Sequence, residues 1–227
     1  MIKHIKKLVI FSVLIAWLPV QNSRAQSMKK IRRNGLTLKI IVVDTSFNKL
    51  LLKNLVDVFF EVYPKMVKAY NPGLKNKTTF VIDTAYHGVA ATSQGSITFS
   101  HEYISSHPQD VDVVTHELMH VVQDYKESIG PGWLTEGIAD YVRDQLGINN
   151  LEAKWSLGNY MAGQHYKDGY QVAGRFLKWI EYRRSPGLVK EINDRLRMHT
   201  YSEKDWKTIT GMDLGELWQA YRNSPKI

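Results

Sequence analysis

The chain has 227 residues, a formal net charge of +8, no cysteine and a hydrophobic fraction of 44%. That length suits one domain, and that apolar content excludes a disordered chain. Without cysteine there are no disulfides to staple a small fold, so stability rests on the core, helped at most by a metal.

Lys3, His4, Lys6 and Lys7 form a basic start, followed by the apolar run "LVIFSVLIAWL" (Leu8 to Leu18), which Pro19 breaks. That run is too short to span a bilayer comfortably. Ser23-Arg24-Ala25 sets small residues where a signal peptidase cuts. Residues 1–25 are therefore expected to be a secretory signal cleaved after Ala25, and the protein to be secreted or periplasmic. An uncleaved anchor is the alternative. Without cysteine there is no lipoprotein anchor. The leader holds Lys3, Lys6, Lys7, Arg24 and no acid, so its removal lowers the charge from +8 to +4. The basic residues that remain are scattered and not interleaved with stacking aromatics. Nucleic acid is thus not an expected partner, and neither is stable membrane insertion.

Residues 26–35 are polar and basic and are expected to be a flexible lead-in to a single domain over 36–227. "LTLKIIVVD" (Leu36 to Asp44) and "TTFVID" (Thr78 to Asp83) are rich in β-branched residues and predict strands. Between them, apolar residues at helical spacing predict a helix from Ser46 to about Tyr70, ended by Asn71-Pro72-Gly73. "YHGVAATSQG" (Tyr86 to Gly95) reads as a loop, and "SITFS" (Ser96 to Ser100) as a short edge strand. From Pro108 onward helices are expected near 108–126, 131–146, 168–184, 187–198 and 213–223. Strands first and helices afterwards predict an α+β fold, a small N-terminal mixed sheet with one long helix and then a mainly helical half.

The chemistry starts at "THELMHVVQDY" (Thr115 to Tyr125). At about 100° per residue, His120 lies about 40° from His116 and Glu117 about 100° from it. Val111, Val114, Leu118, Val121, Val122 and Tyr125 take the opposite side, which can anchor in a core. Two His at i and i+4 on one face can converge on one zinc ion. Glu117, offset beside them, reaches the water that such an ion activates. The plainer reading is an amphipathic helix that happens to carry two His.

A third ligand decides between these readings. Gln123 and Lys126 stand where a metzincin needs Gly and His, so that class fails. "PGWLTEGIADYVR" (Pro131 to Arg143) supplies Glu136 and, one turn on, Asp140, on one helical face. Folded back by the short turn before it, this helix can bring Glu136 in as the third ligand of a His₂Glu set. Asp140 then sits one layer out, accepting the other ring N–H of a ligand His. Gly137 and Ala139 allow close helix packing. Taken alone, the two carboxylates also fit a solvated surface helix.

These blocks, with "GYQVAGRFLKW" (Gly169 to Trp179), resemble the basic secretory protein family, exported and predicted zinc peptidases of plants and bacteria. The likeness spans roughly Leu36 to Tyr221. It implies metal-dependent peptide hydrolysis more firmly than any substrate. By its Glu third ligand the site is also similar to the gluzincins, with a zincin-like cleft between sheet and helices. Thr135 stands where thermolysin has Asn, which leaves the support of the second His unassigned.

The expected function is hydrolysis of peptide bonds with one zinc ion. Glu117 acts as the base, and Tyr170 as donor to the oxyanion, with His165 and Tyr166 as runners-up. Tyr170 also fits a core aromatic near Phe176 and Trp179. An extended peptide or protein substrate can add to the edge strand Ser96–Ser100. His87, His101, His107 and His199 lack partner spacing, and Trp155, Trp179, Trp206 and Trp218 read as core. A monomer is expected. The rival function is a secreted binding or defence protein that keeps the scaffold without turnover. A hydrolase of cell-wall amide bonds also fits.

Overall fold

The structure, a computed structural model, describes residues 26–75, 77–126 and 130–227. The expected signal segment (1–25) and the centre of the turn before Pro131 (127–129) lie outside the described residues. The strands are β1 (Ser27–Arg33), β2 (Leu36–Val42), β3 (Thr78–Asp83), β4 (Ala90–Ser93) and β5 (Ser96–Ser100). The helices are α1 (Lys49–Tyr70), α2 (His101–Ser106), α3 (Val113–Gln123), α4 (Gly132–Leu146), α5 (Tyr170–Arg183), α6 (Leu188–Arg197), α7 (Lys204–Thr210) and α8 (Leu214–Asn223). This is the expected α+β order, with strands and one long helix followed by a helical half. None of the described helices is long and apolar enough to cross a membrane.

The strands form one mixed sheet in the order β1-β2-β3-β5-β4, with β2, β3 and β5 parallel and both outer strands antiparallel to their neighbours. Three expectations change here. Residues 26–35 are not a flexible lead-in, because β1 pairs with β2 along its whole length. Asn34 and Gly35 join them with positive φ (49° and 79°), the two-residue turn whose twist matches that of the flanking strands. The segment 86–95 is not all loop either, since β4 occupies 90–93 and returns through Gln94-Gly95, again at positive φ. As a result Ser96–Ser100 is an inner strand, and the edge on that side of the sheet is β4.

One face of the sheet is buried. Leu38 and Ile40 on β2, Phe80 and Ile82 on β3, and Ile97 and Phe99 on β5 alternate inward. The apolar stripe of α1 covers them, and the Phe59 and Phe80 rings meet edge to face at 5.8 Å. Truncating either ring to Ala would destabilise by about 3–5 kcal/mol. Asn48 caps α1 by accepting from the Leu50 and Leu51 amides, and Pro64 sits inside the helix without ending it. At the other end Asn71 donates through Nδ2 to the Val122 carbonyl (2.9 Å), tying the end of α1 to α3.

The helix expected over 108–126 is shorter. Asp112 and Thr115 bond to each other at its start, and Asp124 takes the left-handed conformation at its end. Nor is its polar face exposed, because Asp112, Thr115, Glu117 and Gln123 are all buried. The cause is that α3 is enclosed by α1 on one side and by β4 and α4 on the others. Helices α2 and α7 were not expected.

Small residues set the depth of α4 against α5. A Cβ on Gly137 would lie 2.7 Å from the Ala173 Cβ, and one on Gly174 would lie 3.1 Å from the Tyr141 backbone nitrogen. Gly137 therefore serves the approach of α5 and not that of the motif helix. Behind α5, Tyr166, Phe176, Trp218 and Tyr221 form one aromatic cluster. Trp179, Trp206 and Trp218 are buried as expected. Trp155 differs, for it is half-buried and lies 4.1 Å from the Arg143 guanidinium.

Candidate metal centre

Helices α3 and α4 bring His116, His120 and Glu136 together. The His116 and His120 Nε2 atoms are 3.2 Å apart, and Glu136 Oε2 lies 3.2 Å from the first and 3.3 Å from the second. No other cluster of metal-ligand type occurs among the described residues. His87, His101, His107 and His199 take no part in it.

The other side of each ring decides what these three atoms present to one another. His116 Nδ1 is 2.7 Å from Asp140 Oδ1. His120 Nδ1 is 2.8 Å from Gln123 Oε1. The Gln123 amide is oriented by its own donor, since Nε2 gives its hydrogen to the Thr135 carbonyl at 2.9 Å. A carboxylate and an amide oxygen only accept here, so each neutral imidazole carries its hydrogen on Nδ1. Both Nε2 lone pairs then face each other and a carboxylate oxygen. A proton on one nitrogen relieves part of that repulsion, whereas a cation at the centre relieves all of it. Tetrahedral zinc with bonds of ~2.0–2.1 Å sets its ligand atoms about 3.3 Å apart, so the three residues fit the ion.

The electrostatics favour the same charge. Burial works to lower the His116 pKa, but hydrogen bonds to Asp140 and then Glu136 outweigh it and raise the ring to about 9. Burial works to raise Glu136, and hydrogen bonds from His116 and His120 outweigh it and hold the carboxyl at about 2. A positive charge between these helices is thus stabilised from both sides.

Glu117 is buried beside the cluster and accepts from Thr92 Oγ1 at 2.7 Å, while the same hydroxyl lies 3.1 Å from the Glu117 carbonyl oxygen. This side chain of β4 fixes the carboxylate from across the cleft. Tyr170, the first residue of α5, lies over the site and not in the core. Its ring is nearly parallel to His116 with centroids 6.2 Å apart, and the residue is 55% exposed. The negative charge of Glu136, followed by partial burial, holds its hydroxyl above the usual tyrosine range and so protonated. The runners-up are elsewhere. Tyr166 is buried between Trp133 and Phe176, and the His165 ring packs on Trp218.

The sequence reading missed Gln123 and Thr92. Gln123 had a signal, because i and i+3 are neighbours on a helix and His120 needs a partner. Thr92 had none, since it reaches Glu117 only through the β4 edge.

These residues line a hollow of about 780 Å³ that also takes in Ala90, Ala91 and Gly95. A family model described as "Peptidase of plants and bacteria" matches residues 37–221, nearly the whole of the described chain. No curated protein matches it.

Proposed function

The chain belongs to the basic secretory protein family, peptidases of plants and bacteria, and from that premise we propose that it is an exported zinc-dependent peptidase. The observation that carries the metal is the convergence of the His116 Nε2, His120 Nε2 and Glu136 Oε2 lone pairs within 3.3 Å of one another. Export rests on the residue pattern of 1–25.

His116, His120 and Glu136 would hold the ion, with Asp140 and Gln123 fixing the ring orientations. Zinc supplies a Lewis acid that polarises a substrate carbonyl and brings the pKa of water toward about 7. The remaining work falls to this chain's own groups. Glu117, steadied by Thr92, takes the proton of the attacking water and passes it to the leaving amine. Tyr170, protonated at neutral pH, donates to the oxygen that gains charge as the carbonyl becomes tetrahedral. Because β4 is an outer strand and lines the hollow, it replaces Ser96–Ser100 as the edge to which an extended substrate adds.

The test separates ion from chemistry. Zinc should co-purify at about one equivalent, as for a single His₂Glu site that leaves its fourth position open. Glu136→Ala should lose it. Glu117→Gln should keep the ion and lose hydrolysis of a broad peptide library. Full zinc and full activity in Glu136→Ala would sink the ligand assignment. A wild-type protein that is zinc-loaded yet inert on the library would favour the binding-protein reading.

A further inference from the structure

The cleft continues past the candidate metal centre. Two hollows meet there and share Ala90, His116, Glu117 and Tyr170. The first, of about 780 Å³, takes Ala91, Thr92, Gln94 and Gly95 after the start of β4, Gln123 at the end of α3 and Thr135 in the first turn of α4. The second, of about 640 Å³, takes Val89 before β4, Val113 at the start of α3 and Arg143 in the last turn of α4. On three separate elements the hollows occupy opposite ends. The donor atoms of His116, His120 and Glu136 therefore sit in the middle of a through-going groove.

The one arginine of the groove is not free to receive a chain terminus. An enzyme that trims ends holds the terminal charge with a free group of opposite sign, a carboxylate for an amine or a cation for a carboxylate. The cation of the second arm is Arg143. Its Nη2 binds Asp110, its Nε binds Asn150 Oδ1 at 3.1 Å, and its guanidinium lies against Trp155. Tyr103 takes the second oxygen of Asp110 at 2.7 Å, so that pair is internally satisfied. Asp140 is engaged by His116, and Asp168 accepts the His165 amide at 2.7 Å. In the first arm Asp124 and Lys126 carry opposite signs two positions apart.

Building on the peptidase reading, we propose that this chain is an endopeptidase that cleaves within extended peptides, with substrate residues held on both sides of the scissile bond. The arm beyond Tyr170, walled by Tyr103 and Trp155, holds one flank, and the arm along β4 holds the other. The far arm is walled by the Tyr103 and Trp155 rings, so the side chains on that flank are recognised by contact.

The experiment gives the zinc-loaded protein octapeptides in two forms, one with free ends and one acetylated and amidated, and maps the fragments by mass spectrometry. Internal cleavage of blocked peptides, at rates matching the free ones, is expected. If only free-ended peptides are cut, and only by loss of one to three terminal residues, this proposal is overturned and the peptidase reading stands. If neither form is cut, both are overturned. Trp155→Ala removes a wall of the far arm without touching the donor cluster. It is expected to raise KM on the blocked octapeptide about tenfold, the usual effect of an emptied side-chain pocket, with kcat held. An unchanged KM would overturn the role of that arm.

Discussion

Replacing Gln123 by Met tests whether the second histidine is aimed by its neighbour. Gln123 is 1% exposed and makes two hydrogen bonds, to His120 Nδ1 and to the Thr135 carbonyl. Met fills a similar volume, so no cavity opens. Two lost hydrogen bonds, each contributing about 0.5–1.5 kcal/mol net, lower stability by about 1–3 kcal/mol. In a domain of this size each kcal/mol lowers Tm by about 2–4 °C. The metal-free protein already carries that loss, so zinc affinity reports something else, the freedom given to the His120 ring. Loss of such a supporting partner weakens metal affinity by about 10–100-fold. Chelator-competition titration reads the affinity, and thermal melts of chelated protein read the stability. Gln123→Glu separates the effects, because it keeps an acceptor for His120 while setting a carboxylate against the Thr135 carbonyl. It should hold zinc firmly and still melt early. If Gln123→Met melts early yet binds zinc as tightly as wild type, Gln123 is only a strut between α3 and α4 and the reasoning fails.

Gly137→Ala adds a Cβ that would lie 2.7 Å from the Ala173 Cβ. Overpacking of about 1–3 kcal/mol should outweigh the gain of about 1 kcal/mol from better helix propensity, giving a lower Tm and weaker zinc binding, and a Tm above wild type would refute it. Tyr170→Phe should lower kcat by about 10²–10³-fold with zinc content unchanged, as for loss of one oxyanion donor. A wild-type kcat would move that role elsewhere. Burial, before any charge effect, raises Tyr70 and Tyr103 from 10.0 to about 12. Their stabilising contribution is therefore complete below pH 10 and lost as pH rises through about 12. Phenolate absorbance followed together with circular dichroism should show unfolding and ionisation rising as one transition, and native dichroism with these groups already ionised near pH 10 would contradict it.

The core of the candidate metal site was legible because helical spacing is rigid geometry. Once His116 and His120 share a face, and Glu136 and Asp140 share the next, few dockings of the two helices remain. The strands were less legible where the backbone alone holds them. β1 carries two apolar residues, Met28 and Ile31, too few and not at alternating spacing, so hydropathy is silent and only the Asn34-Gly35 turn announces the hairpin. β4 is four residues long with no run of large apolar side chains, and its place at the sheet edge follows from Gln94-Gly95 reversing the chain into β5. The same small elements hid Thr92 and moved the edge from Ser96–Ser100 to 90–93. Gly137 shows a different limit. A small residue on a helix declares a close approach but not which neighbour makes it.

The ligand-type side chains and their supports lie between residues 116 and 140, on two consecutive helices, while the facing walls of the cleft come from β4 before them and from α5 and the Trp155 loop after them. Heredity can treat these parts separately. Changes at Ala90, Ala91 or Trp155 reshape what enters the groove, provided that Thr92 and Tyr170 are kept to hold the reacting groups in register. A lineage can therefore diversify its diet without relearning its chemistry.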